Sequence, residues 1–210
     1  MEVLAEYWLV LLRALPPWEA AAVILAIGYL VLATRENSLC WYCALVSTAI
    51  YTTLFWNVNL LMDSALNIYY MAMACYGWHQ WRHGGDQQTG LVITTIASKR
   101  HLQIVALIGV LSVISGYLLS KNTTAAWPFI DSFTTWASVV TTVLVVRKVL
   151  ENWLYWMVIN SASIFMFIDR ELYQTAAMLG LYLGLSIIGY FAWRKVYLNQ
   201  NPTAFAENPA

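Results

Sequence analysis

Charge is what this sequence has least of. Asp, Glu, Lys and Arg make up 10% of its 210 residues, against 60% hydrophobic. Soluble domains run near ~25% charged, and a water-soluble fold of this length has too little interior for so much apolar surface. The solvent of this chain is therefore largely lipid. Eleven basic residues balance eleven acidic ones, which leaves no cationic excess for nucleic acid. The three cysteines, Cys40, Cys43 and Cys75, are too few and too apolar in setting for a secreted disulfide scaffold. Cys40 and Cys43 have CxxC spacing but no second pair, so zinc lacks its four ligands. Phosphate-binding glycine loops, nucleotide motifs and catalytic triads are missing, as are the convergent histidines or paired carboxylates of a membrane enzyme. No metal, cofactor or ATP coupling is expected. His79, His83 and His101 read as solvated surface residues.

Seven apolar segments are long enough to cross ~30 Å of hydrocarbon: about 17–34, 39–56, 60–80, 102–120, 127–146, 152–168 and 172–193. Spans in lipid are helical by default, because an open sheet leaves backbone groups unsatisfied. Residues 1–15 read as an interfacial segment, the loop 83–101 as a cytoplasmic linker and 196–210 as a disordered tail. Eight Lys/Arg fall on the side of the C-terminus (Arg35, Arg82, Lys99, Arg100, Arg147, Lys148, Arg194, Lys195) and three on the other (Arg13, Lys121, Arg170). The positive-inside rule then puts the C-terminus in the cytoplasm and the N-terminus outside.

An offset of 112 residues superposes the chain on itself. Pro16 meets Pro128, Arg35 meets Arg147, Trp41 meets Trp153, Gly77 meets Gly189, Trp81 meets Trp193 and Arg82 meets Arg194. Apolar matches mean little against this background, but Pro, Trp, Gly and Arg punctuate helix ends and contacts. Residues 16–82 and 127–195 therefore read as two copies of a three-helix unit. Because three is odd, the single extra span, 102–121, is needed to make the copies parallel. The expected fold is an all-α membrane protein of 3+1+3 plan, the parallel-repeat arrangement of SWEET sugar carriers, which hold substrate near the midplane between the repeats.

Three groups of polar and aromatic residues break the apolar helices. In span 6, Trp153, Trp156 and Asn160 stand at i, i+3 and i+7 and so share a face. Two indoles and a carboxamide can stack a flat ring and hydrogen-bond its edge, and a cationic ring gains ~1–2 kcal/mol more. An interfacial Trp belt is the alternative, and it leaves Asn160 unexplained. Span 5 carries Asp131, Thr134, Ser138 and Thr142 near one stripe, with Trp136 beside them; span 3 carries Asp63, Asn67 and Tyr70. Thr48 on span 2 completes the candidate set. Polar groups in a membrane are costly and face a bundle interior or water. Even so, Ser and Thr can bond their own helix, and Asp131, three residues after Pro128, can simply complement a helix dipole. Gly180 and Gly184 form a small-xxx-small pattern that reads as close helix packing.

These residues resemble the Pnu family of bacterial vitamin transporters. The stretches that carry the likeness are Trp127-Pro128-Phe129-Ile130-Asp131-Ser132, the run Arg147-Lys148-Val149-Leu150-Glu151-Asn152-Trp153-Leu154-Tyr155-Trp156 through Asn160, and Tyr76-Gly77-Trp78-His79-Gln80-Trp81. The resemblance implies facilitated diffusion of an unphosphorylated vitamin through the bacterial inner membrane. The partners it implies are the vitamin, the lipid bilayer and a cytosolic kinase that traps the product. A homo-oligomer is compatible with it, and a non-transporting binding subunit is the competing class. Riboside-carrying members tend to have Gln in spans 3 and 5, where this chain has Asn67 and Thr142. That departure tilts the expectation toward thiamine over nicotinamide riboside.

Overall fold

The computed structural model describes residues 16–57, 61–85, 90–123 and 127–201. The interfacial segment 1–15, Arg13, Gln87-Gln88 and the tail 202–210 lie outside the described residues. Seven helices follow in order: α1 (Pro17–Thr34), α2 (Cys40–Asn57), α3 (Leu61–His83), α4 (Ser98–Asn122), α5 (Pro128–Val146), α6 (Asn152–Asp169) and α7 (Tyr173–Gln200). Among the described residues there is no strand, only one isolated bridge between Thr94 and Val149. α1, α4, α5 and α7 are long and apolar enough to cross a membrane. α2, α3 and α6 have 18, 23 and 18 residues, and at 1.5 Å per residue they have the length as well. Their hydropathy is lower because they carry Trp, Tyr, Ser, Thr and Asn.

The described chain divides into two compact units. One comprises the residues up to Ala33 and Asn37–His79; the other comprises Thr34–Glu36 and everything from Gln80 onward. In the first, the Ser47 hydroxyl donates to the Ala22 carbonyl at 2.9 Å, tying α2 to α1, and Ser64 donates to Thr52 O at 2.9 Å, tying α3 to α2. In the second, α4 packs on α5, α5 on α6 and α6 on α7. The outer face of α4 is left bare: Leu102, Val105, Val110, Val113, Tyr117 and Leu118 are all exposed, as lipid-facing side chains are.

One contact recurs in both units. The Trp41 ring lies against Gly77 in the first, and Trp153 lies against Gly189 in the second, each pair offset by the same 112 residues. A Cβ on Gly189 would stand 2.7 Å from the Trp153 ring. Small residues let helices approach closely in lipid, so this contact, and not Gly180 or Gly184, is the close-packing site. Those two glycines have nothing within 4 Å of where a Cβ would be. Gly189→Ala should therefore cost about 1–3 kcal/mol through overpacking, whereas Gly180→Ala should be neutral or gain up to about 1 kcal/mol of helix propensity. Melting midpoints in detergent check the pair. Equal midpoints would remove the assignment.

Two boundaries differ from the sequence reading. α4 begins at Ser98, four residues early, and α7 continues to Gln200, so residues 196–200 belong to a helix. The 83–101 loop is not a plain solvated linker either. Ile93 is 1% exposed, Thr94 N donates to Lys148 O at 3.0 Å, and Leu150 N donates to Thr94 O at 2.8 Å. Its apolar side chain and paired backbone anchor it to the turn between α5 and α6. His101 also departs from the solvated reading. Its Nδ1 is 2.9 Å from the Tyr155 hydroxyl with the rings stacked, and its Nε2 is 3.9 Å from Glu151. It pins α4 to α6.

Candidate functional site

The α6 face splits into two sides. Positions i+7 and i+3 are turned by about 20° and about 60° to the same side of position i, so Asn160 lies between Trp153 and Trp156 while the two rings diverge. Trp153 is 1% exposed, with its ring edge-on to Trp193 at 5.4 Å. Wedged between Trp193 and Gly189, this indole fastens α6 to α7. Trp156 instead packs against a cluster formed by Ile108 of α4, Ala137 of α5 and Ile159 of α6. It keeps partial exposure, so part of its ring is open to contact.

Asn160 is 5% exposed, two turns inside α6. Its Nδ2 donates to the Ser186 hydroxyl of α7 at 3.4 Å, and Ser186 donates on to the Tyr182 carbonyl at 2.8 Å. Ser186 thus fixes the amide's orientation. The sequence reading passed over it, because a single Ser in an apolar helix looks unremarkable. The available signal was its spacing: Ser186, Gly189 and Trp193 stand at i, i+3 and i+7 of α7, on the side that receives α6.

α5 buries four hydroxyl residues, Ser132, Thr134, Thr141 and Thr142, and of these Thr134 and Thr141 share a stripe with Ala137 at i, i+7 and i+3. The Thr134 hydroxyl donates to the Asp131 carbonyl at 3.0 Å and Thr142 to Ser138 O at 2.8 Å. The protons of these two hydroxyls are therefore held by their own helix and leave only lone pairs to accept from a ligand, whereas the buried Ser132 and Thr141 hydroxyls have no partner among the described residues. Thr141, fully buried on this stripe, was not among the sequence candidates. Asp131 stands in the first turn, as a dipole-complementing acid does. Trp136 turns away from the others: its Nε1 donates to the Ser115 hydroxyl of α4 at 2.9 Å.

The remaining candidates belong to the first unit. Asn67 donates to Asp63 O at 2.9 Å, and Thr48 bonds Ala44 O at 2.7 Å. Tyr70 pairs with Tyr69 at 5.6 Å between ring centroids. Asn67 and Thr142 are the two residues behind the thiamine expectation. Both have donor hydrogens engaged within their own helices, which weakens the argument that their shortened side chains regrip a ligand. Among the described residues no cluster of three or more metal-ligating side chains occurs.

A family described as nicotinamide mononucleotide transporter matches residues 16–195. The nicotinamide riboside transporter PnuC of Escherichia coli (strain K12) is 24% identical over 180 residues, covering 74% of this chain and 75% of that protein. The protein of the same name from Haemophilus influenzae is 23% identical over 168 residues, covering 77% and 72%. A solved structure described as that of the vitamin B3 transporter PnuC superposes with a TM-score of 0.68 at 22% identity, over 85% of this chain and 81% of that one.

Proposed function

This chain belongs to the nicotinamide mononucleotide transporter family, a multi-pass membrane family, and from that membership we propose that it carries nicotinamide riboside across the bacterial inner membrane. The relatives are named for this substrate, which favours it over thiamine. The observation that carries the reading in the chain itself is Asn160, a carboxamide buried deep in an apolar helix with Trp156 one turn away. A polar side chain in that position is costly unless it is paired or serves a ligand or pathway, and its bond to Ser186 is long at 3.4 Å. The Trp156 ring offers a face to a cationic pyridinium and Asn160 a partner to its carboxamide. Asp131 supplies negative charge at the head of α5. Neither α5 nor α6 contains a Lys or Arg, so a phosphate would enter without a counter-charge. The unphosphorylated nucleoside fits better than its nucleotide.

The two copies stand parallel in a 3+1+3 plan in this reading, with the basic helix ends in the cytoplasm. Flux follows the substrate's own gradient, and a cytosolic kinase traps the product as phosphate. The test is a titration of the detergent-solubilised protein with nicotinamide riboside, nicotinamide mononucleotide and thiamine in parallel. The riboside should bind about tenfold or more tighter than either. Preferential thiamine binding would transfer the site to that vitamin, and binding of none would remove the transport reading.

A further inference from the structure

Two contacts in the second unit join residues that are each other's equivalents in the 112-residue register. Lys148 Nζ lies 3.0 Å from Glu36 Oε2, and the Trp81 and Trp193 rings lie 5.8 Å apart. Each contact therefore joins corresponding points of the two repeated sequences. Identical charges would repel there, and the register holds Glu in one copy and Lys in the other.

The two turns that present this pair repeat in their backbone. Glu36 has φ 54° and Lys148 φ 49°, a left-handed conformation disfavoured for any residue with a Cβ. Asn37 N donates to Leu32 O at 3.0 Å, and its equivalent Val149 N donates to Leu144 O at 2.9 Å. The pair is sheltered as well. Lys148 is 8% exposed, and its ammonium sits 4.9 Å over the Trp81 ring, whose Nε1 donates to Val145 O at 3.2 Å.

We propose that Glu36 and Lys148, backed by Trp81 and Trp193, are the latch that closes one end of the transport pathway, the end bearing Arg35, Arg82, Arg147 and Arg194. This rests on the transport reading. Substrate passes that end only when the carboxylate and ammonium part. Separation leaves two sheltered charges uncompensated and two turns in a disfavoured backbone region, so the closed and open arrangements are discrete.

Glu36→Lys, Lys148→Glu and the double exchange test it, read in two ways. One is uptake of nicotinamide riboside into proteoliposomes. The other needs no substrate: peptide-resolved alkylation of Cys40, fully buried four residues beyond Glu36, relative to exposed Cys75. Each single reversal puts like charges in contact. Cys40 labelling should rise about tenfold and uptake fall about tenfold, with the double exchange returning both toward wild type. Singles that label like wild type, or a double exchange no better than the singles, would overturn the latch. Where a single fails to fold, Glu36→Gln removes the charge alone and should raise labelling about threefold; an unchanged ratio overturns the proposal equally. If even the wild type takes up no riboside, the transport reading fails, while the Cys40 ratio still decides the latch.

Discussion

Trp153→Ala should lower the stability of the protein by about 3–5 kcal/mol and leave riboside affinity of the folded fraction nearly unchanged. In lipid, helices gain nothing from escaping water, so they hold together through dispersion contacts and close approach. The Trp153 indole concentrates those contacts: it meets Trp193 edge-on at 5.4 Å and fills the notch left by Gly189. Truncation to a methyl group opens a cavity in the α6–α7 seam that neither rigid helix can close. The melting midpoint in detergent should fall by about 6–20 °C, with Trp153→Phe in between. Trp41→Ala should act alike in the first unit, where Trp41 fills the same notch against Gly77. A Trp153→Ala variant with an unshifted midpoint and abolished binding would make this ring a ligand wall after all.

That packing explains why the repeat was legible in the sequence. Trp and Gly survive at the same offset because a large ring and a missing side chain must arrive together. The seven helices were legible for the simpler reason that lipid demands long apolar runs with satisfied backbones. Contacts made by unlike residues were not. The register compares identities, so Glu36 and Lys148, paired by complementary charge, did not register as a match. Gly180 and Gly184 fit a packing pattern that depends on a neighbour no spacing rule can supply, and theirs is missing within 4 Å. The helical face of Trp153, Trp156 and Asn160 was drawn too wide, since a 60° offset suffices to send one ring to α4 and α5 and the other to α7. His101 shows the same limit at the start of α4: its polarity said solvent, and its position opposite Tyr155 said otherwise.

Asn160→Leu should weaken riboside binding by roughly tenfold to hundredfold, the 1–3 kcal/mol cost of a ligand polar group left unpaired in a dry site. The leucine keeps the branched shape and heavy-atom count of Asn160, so the α6–α7 seam should hold and the melting midpoint should move little. Ser186→Ala acts one step removed. It frees the amide to rotate while keeping its hydrogen-bonding capacity, and since the Asn160–Ser186 bond is long at 3.4 Å, the expected loss is about threefold to tenfold. Ser186→Thr keeps the hydroxyl and should recover most of it. Trp156→Ala removes an aromatic face from a cationic ring, worth about 1–2 kcal/mol or roughly tenfold in affinity, and the Trp156 and Asn160 effects should be non-additive if both groups hold one ligand. Trp193→Ala, which loses the ring beside both Trp81 and Trp153, provides the opposite signature of lost stability with retained affinity. Normal riboside binding in both Asn160→Leu and Trp156→Ala would move the site off α6, and the Asp63–Asn67–Tyr70 stripe of α3 would be the next face to substitute.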